Sequence, residues 1–282
     1  MSDSQTAQAR PPAIAPGNVA VITGGASGIG LAVAEALIAE GMSVVLADID
    51  APKLRDVEAR LTEDGASVAT MICNTTAEAE VNALVESALD QFGAIHVMFN
   101  NAGIAGIGDA WADSIDLWRR VVDVNLFGVV HGVRAVLPIM EQQGVGHIVN
   151  TASMAGLGVA PGAAPYFATK HAVVGLTESL FLELLALGSP VGASVLCPSF
   201  VKTDLMEKEP DAVESPIGQL ANQFITAGVE TGIPASDVAN QVVAAIKAGQ
   251  FWILTHPETR QRPVERMQRA ADGVNPTLNI GS

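Results

Sequence analysis

The sequence predicts an α/β protein with a doubly wound parallel sheet. Short apolar segments alternate with helical segments from residue 19 to residue 255, and a glycine-rich turn follows the first apolar segment. Strands that are buried on both faces are continuously apolar, and the helices between them supply the crossovers that parallel strands need. The length of 282 residues and the hydrophobic content of 49% suit one large globular domain.

The first half of the chain shows this alternation clearly. The run Val19 to Thr23 is apolar and ends at Gly24, which predicts a short buried strand followed by a turn. A helical pattern then runs to Ala39 and is closed by Gly41. The predicted strands of this half are 19–23, 43–48, 67–72 and 96–100, and the predicted helices are 28–39, 52–61 and 78–92.

The second half repeats the pattern with longer helices. The predicted strands are 146–151, 192–197 and 251–255, and the predicted helices are 117–142, 166–187 and 235–247. The segment 202–232 breaks the rhythm and carries two prolines, so we interpret it as a helical lid over a substrate site.

The two ends of the chain fall outside this repeating pattern. Residues 1–17 are rich in Ala, Pro and Gln, without a basic start and an apolar block, which predicts a flexible tail rather than a secretory signal. The main domain then spans 18–256, and 257–282 forms a C-terminal arm with four arginines. Two interpretations of the arm stay open: a solvated helix with a fraying end, or an arm that packs on a neighbouring subunit.

Composition excludes several classes of function. The formal net charge of −15 argues against a nucleic-acid partner, which needs a basic surface. No stretch reaches the roughly 18 apolar residues that span a membrane. Cys73 and Cys197 are too few for a disulfide framework, so we expect a protein of the reducing cytoplasm. No spacing of His, Cys or Glu residues suggests a metal site.

Tyr166 is the only tyrosine, and its neighbours predict proton transfer. Lys170 lies four residues later, on the same face of the predicted helix, and Ser153 lies thirteen residues earlier. A phenol has an ordinary pKa near 10, and a nearby ammonium favours the phenolate. The alternative is a surface tyrosine beside a surface lysine.

The glycine-rich turn 23–30 predicts a dinucleotide-binding loop. It lies between the first strand and the first helix, where glycines let the backbone approach a pyrophosphate and the helix N-terminus offers free N–H groups. Asp48 ends the second strand, where a carboxylate accepts hydrogen bonds from ribose hydroxyls and repels a 2′-phosphate. We therefore expect NAD rather than NADP, although Asp48 alone could be a strand-end turn residue.

Together these segments resemble the short-chain dehydrogenase/reductase family. The resemblance rests on the loop at Thr23 to Gly30, the segment 100–103 after the fourth strand, Asn125, the Ser153/Tyr166/Lys170 spacing, and the segment 197–203. It runs from about Val19 to Thr255 and implies a Rossmann-type catalytic domain. The sequence departs from the family pattern at two positions: Ser199 stands where relatives usually carry glycine, and Asn74 stands where many carry aspartate.

The resemblance implies a role for each matching residue. Tyr166 is the general acid and base, Ser153 binds the substrate oxygen, Lys170 lowers the pKa of Tyr166, and Asn125 holds a water or, alternatively, only kinks its helix. The implied cofactor-binding residues are Gly24, Ser27, Gly28, Ile29, Gly30, Asp48, Ile49, Asn74, Thr75, Asn101, Ala102, Gly103, Tyr166, Lys170, Pro198, Val201 and Thr203. The expected substrate contacts are Ser153, Met154, Ala155, Tyr166, Phe200 and Met206. The resemblance also implies a homotetramer or a homodimer.

The small, neutral run between Ser153 and Tyr166 predicts an apolar pocket, and so do the apolar residues of the segment 202–232. We expect the substrate to be a hydrophobic secondary alcohol or its ketone, because the small-residue walls contain no Arg or Lys that could bind an acid. Alternatively, the small residues serve only close packing. Two alternative functions stay open: epimerase- or dehydratase-type chemistry on the same scaffold, and a non-catalytic NAD-binding protein.

Overall fold

A computed structural model describes residues 12–111, 114–206 and 215–278. Its described residues form a single seven-stranded sheet in the order β3-β2-β1-β4-β5-β6-β7, and every pairing is parallel. The strands are β1 (Val19–Thr23), β2 (Ser43–Asp48), β3 (Val68–Ile72), β4 (Val97–Asn100), β5 (Gly146–Thr151), β6 (Val191–Leu196) and β7 (Trp252–Ile253). The predicted doubly wound parallel sheet is confirmed.

Helices cover both faces of this sheet. They are α1 (Gly28–Ala39), α2 (Ala51–Glu63), α3 (Glu78–Phe92), α4 (Ile115–Val122), α5 (Gly128–Gln143), α6 (Ala164–Ala186), α7 (Pro216–Thr231), α8 (Ala235–Ala248) and α9 (Gln261–Ala271). Strand residues alternate between the two faces, so Ile22 packs in the core with α1 and α8, whereas Val21 packs in the core with α3, α5 and α6. Both layers therefore exclude water from the sheet.

The long helix predicted at 117–142 is instead interrupted. Helices α4 and α5 are joined by a π-helical turn, Asp123–Phe127, with the fully buried Asn125 at its centre. A π-helical turn adds a residue to the helix and often occurs at functional sites. Periodicity alone did not reveal this turn because the apolar pattern continues through it.

The prediction of a flexible tail over residues 1–17 is wrong for residues 12–17, while residues 1–11 lie outside the described residues. Ala13 and Ile14 are buried in the same core as α1. Gly17 N donates to Gly41 O at 2.8 Å, and Asn18 Nδ2 donates to the Pro12 and Ala13 carbonyls. The contact of Gly17 with Gly41 joins residues that are distant in sequence, so local composition gave no sign of it.

The helical run from Ile115 to Gln143 is long and apolar enough to cross a membrane by length and composition alone. It was not identified from the sequence, because the run is not a continuous stretch of apolar residues. Only 28% of its most apolar window is buried inside the subunit. The run nevertheless packs against α3 and α6, and it holds Asn125 inside the fold. We therefore interpret it as a helix of the α/β domain.

A pair of helical glycines tests how closely α5 packs on the sheet. A Cβ at Gly132 would lie 1.8 Å from Asn100 Oδ1, whereas a Cβ at Gly175 in α6 would meet nothing within 4 Å. We expect Gly132→Ala to lower the free energy of unfolding by about 2 kcal/mol through overpacking. The matched Gly175→Ala should raise it by up to about 1 kcal/mol. Urea denaturation measures both, and equal effects would contradict the described packing.

Candidate active site

The candidate active site is a cleft at the carboxyl ends of the strands. The strand order reverses between β1 and β4, and in open α/β sheets ligands bind where this happens. The cleft has a volume of about 1160 Å³. Pockets for one small molecule usually measure roughly 300–1,000 Å³, so this cleft has room for a dinucleotide and a second molecule.

The glycine-rich turn forms one end of the cleft. Gly24 and Gly28 have positive φ angles of 63° and 55°, which glycine adopts at little cost. A Cβ at Gly30 would lie 2.1 Å from Gly24 O, so only a glycine at this position lets α1 begin close against the turn. Gly30 itself does not line the cleft. Asn101 Nδ2 donates to the Thr23 and Gly24 carbonyls and holds the turn in place.

Asp48 lies beside this turn and is only 6% exposed. Its Oδ2 accepts from Ala26 N and its Oδ1 from Asp50 N, both at 3.2 Å, so the carboxylate has a fixed orientation. Each oxygen keeps a further lone pair, and the residue lines the cleft. These features fit the recognition of ribose hydroxyls. The other predicted cofactor residues that line this half of the cleft are Ser27, Ile29, Ile49, Asn74, Thr75, Ala102 and Gly103.

Ser153, Tyr166 and Lys170 meet at the other end of the cleft. Lys170 is 4% exposed, and its Nζ donates to Thr151 O at 2.9 Å. The same Nζ lies 5.5 Å from the centre of the Tyr166 ring. Ser153 Oγ accepts from Ala155 N at 3.1 Å, donates to Pro198 O at 3.3 Å and also bonds the phenol of Tyr166. Tertiary packing therefore brings together the three groups that the sequence singled out.

Burial sets the proton affinities of this group. Burial raises the pKa of Tyr166 above its ordinary value, and the Ser153 hydrogen bond opposes that shift. Burial likewise lowers the pKa of Lys170 to about 8. The lowering of the Tyr166 pKa by Lys170 stays a prediction. Desolvation of the phenol dominates, and the ammonium points at Thr151 O.

Asn125 is fully buried and does not line the cleft. Its Oδ1 accepts from Ile104 N and its Nδ2 donates to Ile104 O, both at 2.9 Å. Its Oδ1 would also lie 3.3 Å from a Cβ placed at Gly103, which is a tighter contact than most Cβ atoms make. Asn125 thus fixes the segment after β4 beside the lysine. Its role in holding a water stays a prediction.

The loop after β6 closes the cleft between its two ends. Pro198, Val201 and Thr203 line the cleft, as predicted. His256 braces this loop: its Nδ1 accepts from Ser199 N at 3.2 Å, and its Nε2 lies 3.1 Å from Phe200 O. The sequence reasoning missed His256, because it lies more than fifty residues from the loop that it holds.

Apolar side chains form the wall beyond Tyr166. Met154, Ala155 and Phe200 line it as predicted, and Phe224 from α7 packs edge-on against Phe200 at 5.5 Å. Met206 does not line the cleft, whereas the neighbouring Leu205 does, and the substrate contact of Met206 stays a prediction. These two residues lie in a short 3₁₀ turn, where adjacent side chains point in different directions.

Comparison with known proteins identifies the family. The family model for short chain dehydrogenases matches residues 18–214. The chain belongs to the short-chain dehydrogenase family. Its fold and its relatives make it an oxidoreductase with a site for a nicotinamide cofactor. A solved relative from Burkholderia phymatum, a short chain dehydrogenase/reductase in complex with NAD, is 39% identical with a TM-score of 0.92 and covers 95% of this chain and 99% of its own.

Two curated relatives illustrate the family's range. A "CLA biosynthesis dehydrogenase/reductase" of Lactiplantibacillus plantarum is 34% identical over 274 residues, or 93% of this chain and 96% of the relative. A cyclohexanol dehydrogenase of an Acinetobacter species is 37% identical over 225 residues, or 78% of this chain and 89% of the relative.

Neither interpretation of the C-terminal arm of this short-chain dehydrogenase included a contact with the cleft of its own chain; helix α9 is largely exposed, and packing on a neighbouring subunit stays a prediction. Helix α9 and the residues after it line the cleft of their own subunit, with Arg262, Arg266, Arg269 and Met267 among the lining residues. Arg266 Nη1 also donates to Leu157 O at 3.4 Å. The arm was missed as part of the site because nothing in its local pattern indicates where the chain turns back.

The buried ammonium predicts a pH dependence of stability. Because the pKa of Lys170 falls from 10.5 to about 8 on folding, the unfolded chain binds one more proton between these pH values. Stability therefore rises with pH across this window, at up to about 1.4 kcal/mol per pH unit. We expect the unfolding free energy of the wild type, relative to that of Lys170→Met, to increase from pH 8 to pH 10 in urea denaturation. A pH-independent difference would show that Lys170 keeps its ordinary pKa and stays protonated within the fold across this window.

Proposed function

We propose that the protein is an NAD-dependent dehydrogenase that transfers a hydride between NAD(H) and a hydrophobic secondary alcohol or its ketone. One observation carries this proposal: Ser153, Tyr166 and Lys170 meet in the same cleft whose other end holds the glycine-rich turn and Asp48. Proton-transfer groups and a dinucleotide site in one cleft are what alcohol oxidation needs.

Each residue has a role that follows from its surroundings. When bound, the nicotinamide accepts or supplies the hydride, while the protein moves the proton. Tyr166 takes the hydroxyl proton during oxidation and returns it during reduction. The Ser153 hydroxyl donates to the substrate oxygen and stabilises its developing charge. Lys170, when protonated, favours the phenolate of Tyr166 and donates to ribose hydroxyls.

The proposal favours NAD because of the fixed carboxylate of Asp48. Its orientation by two backbone N–H groups leaves lone pairs for both ribose hydroxyls, and its charge repels a 2′-phosphate. The complex with NAD found for the relative from Burkholderia phymatum supports the same choice.

The apolar wall formed by Phe200, Phe224 and the small residues after Ser153 supports a hydrophobic substrate. The similarity to a cyclohexanol dehydrogenase supports the same class. Epimerase- or dehydratase-type chemistry, and NAD binding without turnover, stay as alternatives; the first gives no net reduced cofactor, and the second leaves the Ser153/Tyr166/Lys170 group without a use.

We also propose that copies of the chain associate as a homotetramer or a homodimer. The largely unburied apolar helix 115–143 supports an interface between copies. So do three exposed leucines at the end of α6 and beyond it, Leu182, Leu185 and Leu187.

The catalytic role of Tyr166 is tested with a panel of secondary alcohols and NAD, followed by the absorbance of the reduced cofactor. We expect apolar cyclic and straight-chain alcohols to be oxidised in preference to short hydroxy acids. Tyr166→Phe keeps the ring but removes the hydroxyl, so turnover should fall by at least about a hundredfold while the Kd for NAD stays within about twofold. Equal turnover of short hydroxy acids and apolar alcohols would contradict the substrate class. Loss of NAD binding would make the residue structural.

Cofactor choice is tested through Asp48. Asp48→Asn keeps an oxygen acceptor and the side-chain shape but removes the charge, so kcat/KM for NADP should rise relative to that for NAD by about tenfold or more. Thermal unfolding controls for damage to the turn, because Asp48 also accepts from Ala26 N and Asp50 N. A wild type that uses NAD and NADP equally well would rule out this assignment.

A further inference from the structure

Helix α9 places cations at the cleft, close to the apolar wall of its substrate half. Arg262, Arg266 and Arg269 are spaced by four and then three residues, which puts them on one face of the helix, and all three line the cleft. Pro263 and Met267 line it beside them, so the helix presents apolar surface together with positive charge.

The three guanidinium groups are not neutralised by neighbouring acids within residues 12–111, 114–206 and 215–278. Arg266 Nη1 donates to Leu157 O at 3.4 Å, and Arg269 Nη1 donates to Thr277 Oγ1 at 2.6 Å. Arg262 is exposed. Three acids also line the cleft: Asp48 lies beside the glycine-rich turn, Asp204 is paired with Lys53 at 2.8 Å, and Glu265 forms no ion pair with these arginines in the described part of the chain. The arginines therefore keep donors for a ligand.

Arg266 lies at the substrate end of the cleft rather than at the nucleotide end. Its contact, Leu157, belongs to the segment that joins Ser153 to Tyr166, and Gly158 and Val159 of that segment line the cleft. The apolar rings of Phe200 and Phe224 line the same cleft and pack edge-on against each other at 5.5 Å. An elongated ligand would thus meet a hydroxyl-binding end, an apolar wall and cationic side chains.

We propose that the natural substrate carries a carboxylate, separated by an apolar body from the secondary alcohol or ketone, and that Arg266 binds it with help from Arg262 and Arg269. The planar guanidinium group binds carboxylates through paired hydrogen bonds. This inference rests on the proposed dehydrogenase function, and it adds arginines of α9 to a pocket whose small-residue walls carry no Arg or Lys. Such an anchor is notable in a chain of net charge −15, which otherwise repels acids.

The test compares matched substrates and matched variants. The substrates are straight-chain hydroxy acids of increasing length, with a secondary alcohol at the penultimate carbon, and the methyl ester of each. Wild type should show a higher kcat/KM for the acid than for the ester at one optimal length. Arg266→Gln should lower kcat/KM for that acid by about tenfold, the effect of losing one charge-assisted hydrogen bond, and change that for the ester by less than twofold.

Arg260→Gln is the matched control, because Arg260 lies on the same segment but does not line the cleft. It should leave the acid-to-ester ratio unchanged, and the Kd for NAD should be the same in all three proteins. The proposal is overturned if wild type oxidises both substrates equally well, if Arg266→Gln lowers both rates together, or if it weakens NAD binding instead. Oxidation of neutral alcohols without preference for acids would refute this inference alone. Oxidation of no alcohol at all would refute the proposed function.

Discussion

The burial of one ammonium group constrains much of the site. Lys170 is almost inaccessible to water, and a buried charge is costly unless it is well hydrogen-bonded. The carbonyl of Thr151 at the end of β5 accepts its hydrogen bond, so α6 must pack at that strand end. A glycine allows α6 to pack this closely, because a Cβ at Gly156 would lie 2.6 Å from the Lys170 carbonyl.

This constraint extends to the strands and helices around the lysine. Gly103 follows β4, and the segment after it is fixed by Asn125 from the π-helical turn between α4 and α5. Ser153 follows β5 and contacts Pro198 after β6. Three neighbouring strand ends therefore meet around the lysine and tyrosine, while the reversal of strand order beside β1 opens space for the dinucleotide.

The fold was predictable because its signal is local and repeated. Each strand is an apolar run bounded by turn residues, and each crossover helix has its own apolar face, so most predicted boundaries agree with the structure within two residues. The exceptions are informative. The π-helical turn at Asp123–Phe127 continues the apolar pattern of its neighbours, and residues 12–17 are held by contacts with a turn that follows some twenty-five residues later.

The amino-acid sequence by itself determined the parallel sheet, the dinucleotide turn, the acid at residue 48 and the grouping of Ser153, Tyr166 and Lys170. These depend on short spacings within single strands, turns and helices. Only the tertiary structure decided that burial, rather than the neighbouring charge, dominates the pKa of Tyr166. It also decided that His256 braces the loop after β6, and that the arginines of α9 lie at the cleft. These features arise where segments that are distant in the sequence meet, and the local pattern of residues does not indicate which segments will meet.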